Sequence, residues 1–202
     1  MHTLIVYFSY SGNNRMLAEY LGGRIGCEAV PIVEEKRRHS YTILLDMMLS
    51  RMPAIRPLAQ HLASYDHVVL VAPIWGGKLA HPMHALIKQQ RGMLNRYSFI
   101  SLSGYAQQEQ VDKVNEELIA LAGHAPIAHV ELNLGELFPP EKRKQVSTVS
   151  AYRASRRDLD AFLPQIDAFI AQVQEAPPRF EVPPDVLPGL HPGPYRPPAP
   201  GP

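Results

Sequence analysis

Five short apolar runs, each separated from the next by a segment of helical periodicity, constrain the fold of this chain more than any other feature. Residues 4–8 (LIVYF), 29–33, 67–72 (HVVLVA) and 97–102 (YSFISL) are close to continuous, and 127–132 (IAHVEL) alternates more. Strands of this kind are buried on both faces, which happens in a parallel sheet covered by helices on each side. The helical segments fit between them. Residues 14–25 repeat Leu17, Tyr20, Leu21 and Ile25. Residues 82–92 open on Pro82, which suits a first helical turn. Residues 109–122 repeat Val111, Val114, Leu118 and Leu121. Residues 155–173 form the clearest helical pattern, with Leu159, Phe162, Leu163, Ile166, Phe169, Ile170 and Val173 on one face. Ser155 and Asp158 stand in capping-box spacing at its start. The expectation is α/β, a three-layer doubly wound domain with a five-stranded parallel sheet. Its ligand site belongs at the carboxyl ends of the strands.

A chain of 202 residues fits one domain, two at most. At this size about 70% of the unfolded surface can be buried, so neither disulfide nor metal is needed to hold it. Eleven of the 20 prolines lie in the last 29 residues. The expected division is a domain over 1–173 and a Pro-rich tail over 174–202, where proline blocks helices and central strands. The tail reads either as an extended polyproline-II arm or as an arm packed on its own body or a second subunit. Twenty Lys and Arg stand against 19 Asp and Glu. That balance speaks against a dedicated nucleic-acid binder. No apolar run approaches the ~20 residues of a membrane span. The single cysteine, Cys27, and an N-terminus without a basic leader suggest a cytoplasmic protein.

The strand ends carry the chemistry. After the first run come Ser9, Tyr10, Ser11, Gly12, Asn13 and Asn14, leading into a helix. Such a turn can offer backbone N–H groups, hydroxyls and the positive end of a helix dipole to an anion, and it equally suits a plain N-cap. GxxxxGK[ST] and GxGxxG are both absent from the sequence. After the third run come Pro73, Ile74, Trp75, Gly76 and Gly77, which include the only tryptophan. An indole at a sheet mouth can stack on a flat ligand or simply close the core. After the fourth come Ser103, Gly104 and Tyr105.

Together these motifs resemble the flavodoxin-like FMN-binding family. YFSYSGNNRMLAEYL is similar to its phosphate-binding strand and turn, and YDHVVLVAPIWGGKLAHPMHALI to its third strand and ring-binding loop. The Pro-Ile-Trp-x-Gly pattern before a helix-opening proline resembles the NAD(P)H and quinone reductases of that group. The resemblance implies strand order 2-1-3-4-5 and FMN as cofactor. Ser9, Ser11, Gly12, Asn13 and Asn14 would hold the phosphate, Trp75, Gly76 and Gly77 would line the ring, and Gly104 with Tyr105 would close its far side. Tyr10, Pro73, Ile74 and Ser103 are counted with the site. The family usually has threonine where Asn14 stands. The implied activity is an oxidoreductase passing electrons from NAD(P)H, or from a redox protein, to a quinone or similar small acceptor, in a homodimer. A one-electron carrier and a flavin-free binding module remain open. Flavin chemistry demands no side-chain acid or base, so no catalytic residue is assigned.

Other residues receive plainer readings. His81 and His84 lack a further metal ligand in sequence and are placed at the site rim or in solvent, and no metal is expected. Lys78 and the Lys-Arg-Lys run at 142–144 read as solvated charge. Cys27 lacks the arginine six residues on that a phosphatase loop needs. Residues 41–52 repeat Tyr41, Leu44, Leu45, Met48 and Met52 and suggest an amphipathic helix after the basic Lys36, Arg37 and Arg38. The link over 133–154 is too long for a bare loop, so local structure or mobility is expected there.

Overall fold

The computed structural model describes residues 1–36, 51–104, 106–143 and 145–175. The helix expected over 41–52 and the tail past Glu175 lie outside the described residues, apart from Arg51 and Met52.

Five parallel strands form the central sheet: β1 (Thr3–Tyr7), β2 (Glu28–Pro31), β3 (His67–Val71), β6 (Tyr97–Ser103) and β7 (His129–Asn133). Their spatial order is β2-β1-β3-β6-β7, which is the 2-1-3-4-5 order that the resemblance implies. Two short strands, β4 (Ile74–Trp75) and β5 (Lys78–Leu79), make a separate antiparallel hairpin. The helices are α1 (Asn13–Ile25), α2 (His81–Gln89), α3 (Gln108–Ala122), α4 (Val146–Ala151) and α5 (Leu163–Glu175).

The two-residue period of the strands sorts the core into two layers. Leu4, Val6, Val68 and Leu70 face α2 and α3, where Met83, Leu86, Val114 and Leu118 meet them. Ile5, Val69, Val71 and Ile100 face the other way, onto Leu17 and Leu21 of α1 and Ile166 and Phe169 of α5. Both layers are buried, so the strands read as unbroken apolar runs.

One expectation needs correction, and the link over 133–154 holds the local structure expected of it. The pattern over 155–173 is not one helix. It begins as a 3-10 segment, Arg156–Phe162, and becomes α5 at Leu163. Pro164 fits the change: without an N–H it cannot donate to the carbonyl of Asp160, and it stands in the first turn of α5, where no such bond is needed. The capping box of Ser155 and Asp158 is present. The long link contains a 3-10 turn, Leu134–Leu137, and α4, so it is structured where it is described.

Candidate functional site

β1 ends at Tyr7 and the chain turns through Ser9–Gly12 into α1. Gly12 has φ 96°, a left-handed conformation that glycine takes without strain. Its N–H donates to Ser9 Oγ (3.1 Å), and the Asn13 N–H donates to Ser11 Oγ (3.4 Å). The N–H groups of Asn14 and Arg15 fall in the first turn, where no intrahelical carbonyl can accept from them. The asparagine side chains serve elsewhere. Asn13 Nδ2 donates to the Tyr152 carbonyl (3.0 Å), and its Oδ1 accepts from the Ala154 N–H (3.0 Å). Asn14 Nδ2 donates to the Leu102 carbonyl (3.1 Å), and its Oδ1 accepts from the Leu102 N–H (2.9 Å). Arg15 turns outward to Glu19 at 2.7 Å. This turn therefore presents backbone N–H groups and the Ser11 hydroxyl, with both asparagine amides anchored in the protein.

Beyond β3, the chain makes the β4–β5 hairpin, with Trp75 paired to Lys78 across Gly76 and Gly77. The two glycines have φ 58° and 77°. Two consecutive positive values are what a type I′ two-residue turn between twisted strands requires. Ala80 N–H donates back to the Pro73 carbonyl (3.1 Å) and closes the excursion. Trp75 meets Phe8 edge-on with ring centroids 5.7 Å apart, and Tyr10 at 6.4 Å. The hairpin is tied to α3 through Glu117. Its Oε2 accepts from the Leu79 N–H (3.0 Å), and its Oε1 lies 2.9 Å from His84 Nδ1.

The third side is built from the end of β6 and the segment after β7. A Cβ on Gly104 would sit 3.3 Å from Val149 Cγ1, so α4 covers this glycine closely. Asn133 Oδ1 accepts from the Gly135 N–H (2.9 Å), and Arg143 Nε donates to the Phe138 carbonyl (2.9 Å). Phe138 packs edge-on against Tyr152, with centroids 5.1 Å apart. Gln110 Nε2 donates to Glu131 Oε2 at 2.7 Å.

These three sides enclose a cavity of about 780 Å³. Its wall includes Tyr10, Ser11, Asn13 and Asn14 from the first turn, Pro73, Ile74, Trp75, Gly76 and Gly77 from the hairpin, and Ser103 with Gly104 from the end of β6. Of the residues singled out from sequence, Ser9 and Gly12 shape the turn from outside that wall, and Tyr105 lies outside the described residues. Leu102, Gln110, Leu134, Arg143, Val149 and Ser150 also line the cavity and were not anticipated. Four of them come from the link over 133–154, whose only signal in sequence was its length. Arg143 is exposed, as its reading as solvated charge expects, and it also borders the cavity.

A second cavity, of about 810 Å³, lies on the other side of the hairpin and shares Trp75, Gly76 and Gly77 with the first. His81, His84, Glu116, Glu117, Lys78 and Lys113 border it. Among the described residues no group of three or more His, Cys, Asp or Glu side chains is placed to hold a metal ion.

No protein-family model matches this chain, and no curated protein matches it. Solved structures do. A flavoprotein from Lactobacillus acidophilus NCFM, solved in complex with FMN, superposes with a TM-score of 0.56 at 20% identity. The match covers 65% of this chain and 93% of that one. A putative flavoprotein from Bacteroides eggerthii DSM 20697 gives 0.55 at 19% identity, covering 75% of this chain and 99% of that one. One from Bacteroides uniformis ATCC 8492 gives 0.55 at 19%, covering 73% and 97%. The fold is flavodoxin-like. In this flavodoxin-like chain the larger set of predicted residues converges on one cavity at the carboxyl ends of β1, β3 and β6, across the switch in strand order between β1 and β3. No described helix is long and apolar enough to cross a membrane.

Proposed function

We propose that this cavity binds FMN and that the protein is an FMN-dependent oxidoreductase. The observation that carries the reading is the joining of two kinds of wall in one space. The first turn of α1 supplies N–H donors and the Ser11 hydroxyl, suited to a phosphate. Trp75, the paired glycines and Gly104 supply apolar and backbone surface suited to a flat ring. A cavity of about 780 Å³ lies within the range of small-molecule sites, roughly 300–1,000 Å³.

When bound, FMN would supply the electron chemistry. The residues here bind and orient it. Ser11 and the N–H groups of Asn14 and Arg15 would hold the phosphate, Trp75 would pack on the ring, and Gly76, Gly77 and Gly104 would let the backbone approach the ring edge. A nicotinamide nucleotide or a redox protein is the donor in this reading, and a quinone or similar small molecule is the acceptor. As a reductase of this kind, the protein would work in the cytoplasm as a homodimer.

A second reading, a flavin-free binding module, draws on the asparagines. With the amides of Asn13 and Asn14 anchored on Tyr152, Ala154 and Leu102, the phosphate has fewer side-chain donors than the motif suggested. One titration separates the two. FMN is added to the purified protein, free flavin is removed, and the absorption spectrum and Trp75 fluorescence are recorded. Retained flavin with quenched tryptophan supports the flavoprotein. Anaerobic addition of NADH or NADPH then tests for an oxidoreductase, because a pure carrier is reduced by dithionite and not by nicotinamide. A folded protein that retains no flavin favours the binding module.

A further inference from the structure

We infer that Arg143 is an oxyanion-binding residue of the cavity at the strand ends. Among the described residues lining that cavity, it is the one charged side chain. The remaining wall is built from apolar side chains, glycines, hydroxyls and amides. An anion placed there therefore has one formal counter-charge within the wall.

The position of this guanidinium is constrained. Nε donates to the Phe138 carbonyl at 2.9 Å, which fixes one edge of the planar group. The two terminal nitrogens form the other edge, the paired fork that fits two oxygens of a phosphate or carboxylate. The backbone around it is held as well. A Cβ on Gly135 would come 3.1 Å from the Arg143 carbonyl and 2.9 Å from Asn133 Oδ1, so this close approach requires a glycine. Phe138 packs on Tyr152, and the Tyr152 carbonyl accepts from Asn13 at the start of α1. The segment carrying Arg143 is thus fastened both to the end of β7 and to the anion-binding turn.

Charge in that turn supports the same assignment. The nearest arginine in sequence, Arg15, is paired with Glu19 at 2.7 Å and exposed. The N–H dipoles of the turn therefore receive no added charge from Arg15. Dipoles at a helix start contribute modestly, and a charge-assisted bidentate contact adds specificity for oxyanions that present two oxygens. The shared chemistry is a phosphate or carboxylate. It can come from the flavin's own phosphate, which rests on the reading above, or from a second, anionic ligand entering the mouth.

The test compares the intact protein with R143Q and R143K. Folding is checked by thermal unfolding, and Arg143 is exposed enough that both variants should melt near the parent. Dissociation constants are measured for FMN and riboflavin by Trp75 quenching, for NADPH on flavin-loaded protein, and for inorganic pyrophosphate on flavin-free protein by calorimetry. If the flavin phosphate is the partner, R143Q weakens FMN roughly tenfold or more and leaves riboflavin unchanged. If a second ligand is the partner, both flavins are unchanged and NADPH weakens by a similar factor. In either case pyrophosphate binding falls in R143Q, and R143K recovers part of it. Equal binding of all four probes by parent and R143Q overturns the inference. A parent that binds neither flavin overturns the FMN reading alone, and the pyrophosphate comparison then decides the role of Arg143.

Discussion

Asn14 makes both of its side-chain hydrogen bonds with one residue across the sheet, Leu102: it donates to the carbonyl at 3.1 Å and accepts from the N–H at 2.9 Å. The pairing has a topological cause. β3 stops at Val71, opposite Ile100, while β6 continues to Ser103. Leu102 has outrun its neighbour on that side, and the Asn14 amide takes the place of the missing strand. Asn14 is 2% exposed, so water cannot substitute for it. Asn14→Ala is expected to destabilise the protein by about 2–4 kcal/mol, since two buried backbone groups lose their partner. Asn14→Thr should recover little, because one hydroxyl cannot reach both groups. Urea unfolding measures this, and a loss under about 0.5 kcal/mol would contradict the structural role.

Trp75 tests the cofactor site. Trp75→Ala should weaken FMN binding by about an order of magnitude, from lost aromatic contact and lost buried area. It should also raise the fluorescence of the flavin that remains bound. Unchanged affinity and quenching would remove Trp75 from the ring site.

Glu117 lies outside that cavity and yet holds one of its walls. Glu117→Ala removes the acceptor for the Leu79 N–H and the partner of His84. The expected result is a several-fold weaker FMN affinity with modest loss of stability, about 1–3 kcal/mol. Glu117→Gln keeps an acceptor and should fall between the two. Hydrogen exchange at Leu79 gives a direct readout, and protection equal to the parent in Glu117→Ala would show that the hairpin stands without this tie.

His67 is fully buried at the start of β3, with Nε2 2.9 Å from Ser98 Oγ. Burial, reinforced by Arg96, pushes its pKa down to about 4. In the unfolded chain the ordinary value is near 6.5. Between those values the unfolded state binds more protons, so stability rises with pH across this window and is lost as pH falls from about 6.5 toward 4. The full effect is roughly 3 kcal/mol. Thermal unfolding from pH 4 to 7 should show this slope, and His67→Gln should flatten it. An equal slope in the variant would assign the effect to other groups.

Burial also raises the Cys27 thiol to about 11. At pH 8 little thiolate exists, so alkylation by iodoacetamide should run well over tenfold slower than that of an unperturbed thiol near 8.5. Equal rates would mean that the thiol is more exposed than the fold shows.

The parts of this fold that sequence revealed are those governed by local pattern. Val68–Val71 and Phe99–Ile100 are buried on both faces, and a run buried on both faces is visible as a run. The same holds for Leu17 and Leu21, whose spacing matches one helix face. What sequence concealed depends on tertiary partners. Asn14 sits where a phosphate ligand was expected, and only the premature end of β3 shows why its amide is needed elsewhere. Arg143 lay within a charge run, with no local sign that the chain folds back over Gly104. The β4–β5 hairpin was partly legible, since Gly76-Gly77 between apolar residues is a turn signal, and Pro164 marked the change of helix type inside an otherwise regular pattern.

The strip Trp75–Gly77 borders two cavities at once. A substitution there that accommodates a new occupant on one side also reshapes the other side, so the two spaces cannot diversify independently through the strip. Divergence among descendants of this chain should therefore concentrate in residues that border a single space. Leu134 and Ser150 can vary with the first, and Lys113 and Glu116 with the second, while the strip Trp75–Gly77 between them stays fixed.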